Sequence, residues 1–232
     1  MKPDSMTAVA AEIPSTLDAD GSARAGVYAL LGALLRDVPS AQLLEQVRHL
    51  DSATGRDDFA LAWEGMRLGA QQARPAELDD EFHLLFIGLG RGELVPYGSW
   101  YQTGFLMEQP LGVLRRDLAR LGFERQPDVR EPEDHVAALC EVMGQLAVDP
   151  EISIERQRAF FRAHLGSWID RFWSDLDAAD TAVFYKAVAR LGAAFTALER
   201  RYLEMETWGA PARDRPLTHP ATPIARGDQP RS

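Results

Sequence analysis

The sequence predicts an all-α fold, a single compact helical bundle of about eight to nine helices. Three observations support this prediction. Apolar residues recur at the 3.6-residue period of an amphipathic helix along most of the chain. Proline, glycine and capping residues separate these periodic segments at short intervals. No segment shows the sustained alternation of apolar and polar residues that is typical of a strand, so we expect no sheet.

The N-terminal half contains four periodic segments. Ser40, which follows Pro39, is expected to cap the second helix, and Pro75 is expected to begin the fourth. The apolar positions of the four helices are, in order, Val27, Leu30, Leu31, Leu34 and Leu35; Leu43, Leu44, Val47 and Leu50; Phe59, Trp63, Met66 and Ala70; Leu78, Phe82, Leu85 and Phe86. A glycine-rich loop and an aromatic segment around Trp100 follow.

The C-terminal half contains the remaining helices. Gly122 is expected to end one of them, Pro132 to be the first residue of the next, and Asp180 to cap the last. The apolar positions are Leu111, Leu114, Leu118 and Leu121; Val136, Leu139, Met143 and Leu146; Phe161, Leu165, Trp168, Ile169, Phe172 and Leu176; Val183, Phe184, Ala187, Leu191, Phe195, Leu198 and Tyr202. The pattern predicts that the segment from Phe161 to Leu176 is one long helix.

The two ends of the chain differ in composition from its middle. Residues 1–20 are predicted to be a loose, polar leader, and residues 21–208 the helical domain. Residues 209–232 contain five prolines and no apolar period, which predicts a disordered tail.

Charge and composition exclude several classes of protein. The formal net charge is −10, which argues against a nucleic-acid binder and favours a basic peptide partner. The single cysteine, Cys140, allows no intramolecular disulfide. The longest apolar stretch is far shorter than the roughly 20 residues of a membrane helix, so we expect no stable membrane insertion. The first residues lack the apolar core of a secretory signal, and we expect a cytoplasmic protein.

No metal or cofactor is expected. The five histidines make neither an H-x-x-x-H nor an H-E-x-x-H spacing. The run of glycines at 88, 90 and 92 has no preceding buried strand and no following Gly-Lys-Ser/Thr, so a plain connection is favoured over a phosphate loop.

Two clusters of residues remain as candidate sites. Acidic side chains at Glu133 and Asp134 suit the positive end of a helix, whereas His135 can pair with a carboxylate and hold a proton near neutral pH. Helix capping, a binding surface and acid–base chemistry all stay open for this segment. The second cluster is aromatic, and it predicts either core packing or one wall of a peptide groove. Its members are Tyr97, Trp100, Tyr101 and Phe105.

Three segments together resemble the TorD/DmsD family of redox-enzyme maturation chaperones. The first is Glu81-Phe82-His83-Leu84-Leu85-Phe86-Ile87-Gly88, leading into Pro96-Tyr97-Gly98-Ser99-Trp100-Tyr101. The second is Glu131-Pro132-Glu133-Asp134-His135, then Leu139, Glu141 and Met143. The third is Phe160-Phe161, then His164-Leu165, Trp168 and Phe172. The similarity covers roughly residues 24–205, and its most specific part is the E-P-x-D-H segment.

The resemblance implies a function as well as a fold. The implied protein is a cytoplasmic chaperone, not an enzyme. Its implied partner is the catalytic subunit of a molybdopterin-containing oxidoreductase, whose twin-arginine signal peptide it binds so that export waits for cofactor insertion. Carried over by position, the implied peptide-binding residues are Pro132, Asp134, His135, Tyr97, Ser99, Tyr101 and Glu131.

Two alternatives stay open. A nitrate-reductase-type assembly chaperone would belong to the same class and bind its client differently. A hydrolase that uses Asp134 and His135 would belong to another class, although no second motif supplies a nucleophile or an oxyanion site.

Overall fold

The computed structural model describes residues 20–51, 55–88, 92–124 and 131–205. Within these ranges the chain forms ten α-helices and one π-helical turn, His83–Ile87, which confirms the all-α prediction. The helices are α1 Asp20–Arg36, α2 Ala41–Arg48, α3 Asp58–Gln72, α4 Pro75–Phe82, α5 Gly98–Thr103, α6 Gln109–Arg120, α7 Val136–Val148, α8 Ile154–His164, α9 Ile169–Ala178 and α10 Phe184–Met205. The predicted tail, residues 209–232, lies outside the described residues, as does most of the predicted leader.

Helices α1 and α7 pack against each other at the centre of the core. Both bury apolar side chains along their lengths, including Leu31 and Leu34 of α1 and Leu139 and Met143 of α7. Gly21 of α1 permits this close approach, since a Cβ there would lie only 2.5 Å from the carbonyl oxygen of Ala147 in α7. The site segment Glu131–His135 leads directly into α7, so the central helix pair holds one end of the candidate site in place.

Helix α10 packs on α3 and α9 and joins α1 through a buried ion pair. Arg24 lies 2.6 Å from Glu199, and the phenol of Tyr28 donates to the same carboxylate at 3.1 Å. Both charged side chains are less than one-tenth exposed. Because removing one partner would leave the other charge buried and unpaired, this pair ties α1 to α10 strongly.

Several local signals in the sequence predicted helix ends correctly. The hydroxyl of Ser40 accepts from Leu43 N at 3.1 Å and caps α2. Pro75 is the first residue of α4. Gly122 follows Leu121, the C-cap residue of α6, and has a φ of +83°, a conformation that favours glycine.

Some predictions of helix boundaries and buried positions were wrong. The segment from Phe161 to Leu176 is two helices, because the chain turns after His164 and α9 begins only at Ile169. Asp180 is exposed and does not cap α10; the cap is the carboxylate of Glu81. Val183 lies before α10 and is 80% exposed rather than on its inner face. The Glu81 cap depends on a contact between distant segments that the local pattern does not contain, whereas the break after His164 is local, since Leu165 N and Gly166 N both donate to the carbonyl of Phe161.

Candidate functional site

A short backbone pairing brings two of the predicted segments together. Tyr97 and His135 form a single antiparallel bridge. Val136 N donates to the carbonyl of Pro96, and Gly98 N donates to the carbonyl of Asp134, each at 2.9 Å. The segment before α5 and the segment before α7 therefore share one rigid connection.

Asp134 is buried inside this connection. Its side-chain oxygen Oδ2 accepts from Ser99 N at 2.7 Å at the first turn of α5, and only 3% of the residue is exposed. The other oxygen, Oδ1, is buried without a hydrogen-bond partner. The expectation that Asp134 complements the helix that follows it was wrong, since the carboxylate caps α5 instead.

His135 is the residue that caps α7. Ala137 N donates to His135 Nδ1 at 3.2 Å, so the neutral ring carries its proton on Nε2. Burial, the larger cause, and the positive charge of Arg36 together lower the pKa of His135 to about 4, and Asp134 opposes the shift. The imidazole is therefore neutral at pH 7, contrary to the expectation of a proton held near neutrality.

Pro132 precedes α7 by several residues rather than starting it. Its carbonyl accepts from His135 N at 3.2 Å and closes a turn. The bridge to Tyr97 holds His135 extended, with a ψ of 136°, so the helix can begin only at Val136. The predicted helix start at Pro132 was wrong for this reason.

Tyr97 connects the bridge to an exposed carboxylate. Its phenol donates a hydrogen bond to Glu131, and its ring meets that of His135 edge to face with centroids 5.0 Å apart. Burial of the phenol, followed by the bond to Glu131, raises the pKa of Tyr97. The Glu131 carboxylate is consequently oriented by Tyr97 while it remains open to solvent.

Ser99 and Tyr101 have structural partners of their own. Ser99 is fully buried, and its hydroxyl accepts from Met107 N at 3.2 Å. Tyr101 stacks on Trp168 with centroids 5.4 Å apart and donates to Asp175 at 3.0 Å. Tyr101 therefore faces α9, away from the cluster that the other predicted site residues form.

A groove between α6 and α7 begins at the E-P-x-D-H segment. Its volume is about 1050 Å³. Glu131, Pro132 and Glu133 border it, and Leu118, Ala138 and Val142 supply apolar surface. Among the described residues, four glutamates and two arginines line it: Glu124, Glu131, Glu133, Glu141, Arg36 and Arg115.

Both groove arginines are already paired. Arg36 lies 2.7 Å from Glu141, and Arg115 lies 3.0 Å from Glu133. Among the residues that the structure describes, the remaining carboxylates give the groove an excess of negative charge. Sequence reasoning missed its α6 and α7 residues, although Ala138, Val142 and Gln145 share the less buried side of α7.

The geometry does not form an acid–base pair from Asp134 and His135. The Asp134 carboxylate binds a backbone amide, and His135 Nδ1 accepts from another. Across the described parts of the chain, no group of three His, Cys, Asp or Glu side chains could hold a metal ion. No described helix is both long and apolar enough to cross a membrane.

Comparison with known proteins identifies the class. Residues 43–174 match the family model described as nitrate reductase delta subunit. Chaperone protein TorD from Vibrio atlanticus is 29% identical over 151 residues, covering 60% of this chain and 70% of the relative. Chaperone protein TorD from Aliivibrio fischeri is 27% identical over 212 residues, covering 82% and 99%. A solved redox enzyme maturation protein from Archaeoglobus fulgidus is 19% identical, covers 78% of this chain and 93% of its own, and has a TM-score of 0.48.

The chain belongs to the nitrate reductase delta subunit family, which includes the TorD/DmsD redox-enzyme maturation chaperones. It is a maturation chaperone of a redox enzyme and not an enzyme itself. The hydrolase alternative is thereby excluded.

Proposed function

We propose that this chaperone binds the twin-arginine signal peptide of a molybdopterin-containing oxidoreductase in the cytoplasm and delays export until the cofactor is inserted. The observation that supports the proposal best is the groove between α6 and α7, which carries an excess of carboxylates beside an apolar surface. A twin-arginine peptide has matching chemistry, because its basic start is followed by an apolar stretch.

The arginine pair of the peptide binds at the Glu131 end of the groove. Glu131 is exposed and has no cationic partner among the described residues, whereas Glu133 and Glu141 face Arg115 and Arg36. A guanidinium group can make two parallel hydrogen bonds to one carboxylate, which a lysine cannot reproduce. The phenol of Tyr97 holds the Glu131 carboxylate in place for this contact.

The apolar stretch of the peptide lies along the groove surface that Leu118, Ala138 and Val142 provide. Burial of apolar area there favours binding, although the costs of association mean that affinity does not scale simply with the buried area. Because this contribution is not electrostatic, it persists at high salt.

The buried members of the predicted site act through the shape of the groove. Asp134 and Ser99 hold α5 on the E-P-x-D-H segment, and His135 fixes the start of α7. Pro132 borders the groove directly. Tyr101 packs on α9, so its effect on the peptide is indirect.

A nitrate-reductase-type assembly chaperone is the second candidate. The description of the matching family model favours it. The two candidates differ in the client, because only the first requires a precursor that carries a twin-arginine signal peptide.

Affinity capture of the tagged full chain from its host, followed by mass spectrometry, tests the proposal. We expect the precursor of a molybdopterin oxidoreductase, and we expect its synthetic signal peptide to bind the purified chaperone. The Glu131→Gln variant should bind more weakly by about tenfold. Glu151→Gln, an exposed change outside the groove, is the control. Capture of a nitrate reductase subunit without a twin-arginine segment, or a signal peptide that does not bind, would overturn it.

A further inference from the structure

A second, smaller cavity lies beside the end of α8 and the C-terminal half of α10. Its volume is about 210 Å³, and three arginines line it: Arg158, Arg162 and Arg200. None of the described residues that line it also lines the groove between α6 and α7.

Arg158 is the least satisfied of the three. Its Nε donates to the carbonyl of Leu203, and Nη2 is buried with no hydrogen-bond partner. No carboxylate of the described residues lies within ion-pair distance of this side chain. A buried donor without an acceptor costs free energy. A small shift of the Arg158 side chain toward an incoming oxyanion would give Nη2 the acceptor that it lacks.

Arg162 and Arg200 add charge from two helices. Arg162 lies one helical turn after Arg158 on α8, where like charges four residues apart repel. Its carboxylate partner, Glu204, is 3.7 Å away, and both side chains are nearly two-thirds exposed. Arg200 is held in place by Asp170 at 2.7 Å and by the carbonyl of Gly166 at 3.0 Å.

Among the described residues, one carboxylate lines the cavity beside the three arginines. It belongs to Glu204, which lies 3.7 Å from Arg162, whereas Asp170 binds Arg200 without being one of the lining residues. Glu155 lies one turn before Arg158; hydrogen bonds from its own backbone and from Ser153 lower its pKa, and Arg158 contributes less. Ser167 adds a hydroxyl to the lining.

We infer that this arginine pocket binds a phosphate group, held by Arg158 and Arg162 of α8 and by Arg200 of α10. The planar guanidinium fork matches the oxygens of a tetrahedral oxyanion, and Ser167 can donate a further hydrogen bond. The cavity is smaller than the usual site for a drug-sized ligand. The ligand is therefore free phosphate or pyrophosphate, or the phosphate end of a larger molecule that extends outward.

Isothermal titration calorimetry of the full chain at constant ionic strength tests the inference, with inorganic phosphate, pyrophosphate, phenyl phosphate and acetate as probes. We expect one saturable site, with pyrophosphate at least about tenfold tighter than acetate. If phenyl phosphate binds as well as phosphate, the ligand is the phosphate end of a larger molecule. If phenyl phosphate binds more weakly, the ligand is the free anion. No saturable binding of phosphate or pyrophosphate, or equal binding of acetate, would overturn the inference.

Variants assign the binding to the pocket. Arg162→Gln removes an exposed charge and only a long ion pair, so the melting temperature should change little while pyrophosphate affinity falls about tenfold. Arg158→Gln should lower affinity at least as much. Arg190→Gln, which removes an exposed arginine of α10 outside the pocket, is the matched control and should bind normally. If the control loses as much pyrophosphate affinity as the pocket variants, the anion binds through the overall positive charge of surface arginines and not at this pocket.

Discussion

At the scale of single residues, the carboxylate of Asp134 connects two segments that are 35 positions apart in the chain. The bond from Ser99 N places α5, and the hydroxyl of Ser99 in turn accepts from Met107 N. One buried carboxylate therefore shapes the surface from the bridge to the loop that precedes α6.

Replacement of Asp134 should separate a positioning role from direct contact with a peptide. Asp134→Ala leaves Ser99 N without its acceptor and should lower the free energy of unfolding by about 1–3 kcal/mol. Signal-peptide affinity should also fall, but the salt dependence of the association rate should not change, because the charge removed is buried. Urea unfolding and stopped-flow binding measure both effects. A weaker salt dependence in this variant would mean that Asp134 meets the arginines itself.

His135 makes stability depend on pH in a defined direction. Its pKa in the folded state is about 4, below the 6.5 of an exposed histidine, so the unfolded chain binds more protons between these values. Stability from this residue is complete above pH 6.5 and is lost, by up to about 3 kcal/mol, as the pH falls through 4. Urea unfolding from pH 7.5 to 4 should show this loss.

The control is His135→Asn, which keeps a capping side chain but does not titrate. The variant should lose less stability than the wild type over the same range. His164, whose pKa is also lowered by burial, contributes equally to both proteins and cancels in the difference. Parallel pH profiles for the two proteins would contradict the assignment to His135.

At the scale of elements, the start of α10 depends on a residue of α4. The buried carboxylate of Glu81 accepts from Val183 N at 2.7 Å, Phe184 N at 3.1 Å and Tyr185 N at 2.8 Å. These bonds satisfy amides that the helix itself leaves open and place a negative charge at its positive end.

Glu81→Ala should therefore be strongly destabilising. It leaves three amides without their acceptor, and we expect a loss of about 2–4 kcal/mol in the free energy of unfolding. Glu81→Gln, which keeps one acceptor oxygen, should lose less. Glu77→Gln, an exposed substitution on the same helix, should hardly change the free energy of unfolding. Chemical denaturation measures all three variants. An unchanged free energy of unfolding in Glu81→Ala would show that α10 is capped in another way.

The loop between α5 and α6 contains a strained residue. Met107 has a φ of +60°, a region that favours glycine, and it is 70% exposed. Met107→Gly removes the strain and little packing, so it should raise the free energy of unfolding by about 0.5–1 kcal/mol. Phe105→Gly, at a neighbouring exposed position without a positive φ, should not stabilise the protein. A destabilised Met107→Gly would mean that the methionine side chain packs in solution.

At the scale of the whole molecule, the apolar periodicity predicted the class of fold because it records which side of each helix is buried. Ser40 and Pro75 were predictable as helix ends, since a cap or a proline acts within its own turn. The caps from Glu81 and Asp134 were not predictable locally, since each carboxylate binds amides from a distant segment. The resemblance predicted Tyr97 and Glu131 as site residues. It did not predict the groove that Glu131 borders, because that groove forms only where α6 packs on the chain before α7.

The overall charge makes a further contribution to the proposed function. An acidic chain attracts a basic peptide over distance, and salt screens this attraction beyond about 8 Å at physiological ionic strength. Apolar contact with Leu118 and Val142 holds the bound peptide with little dependence on salt. Association and dissociation should therefore respond differently to salt.

The most direct test is the binding kinetics of the client's twin-arginine signal peptide across a salt series, with the wild type, Glu131→Gln and a peptide in which two lysines replace the arginines. We predict that the association rate falls steeply with salt, the dissociation rate changes little, and measurable affinity remains at about 0.5 M salt. The lysine peptide should associate at a similar rate and dissociate faster, and Glu131→Gln should abolish most of that difference. Kinetics that are indifferent to salt, or a lysine peptide that dissociates as slowly as the native one, would contradict the proposed arginine contact.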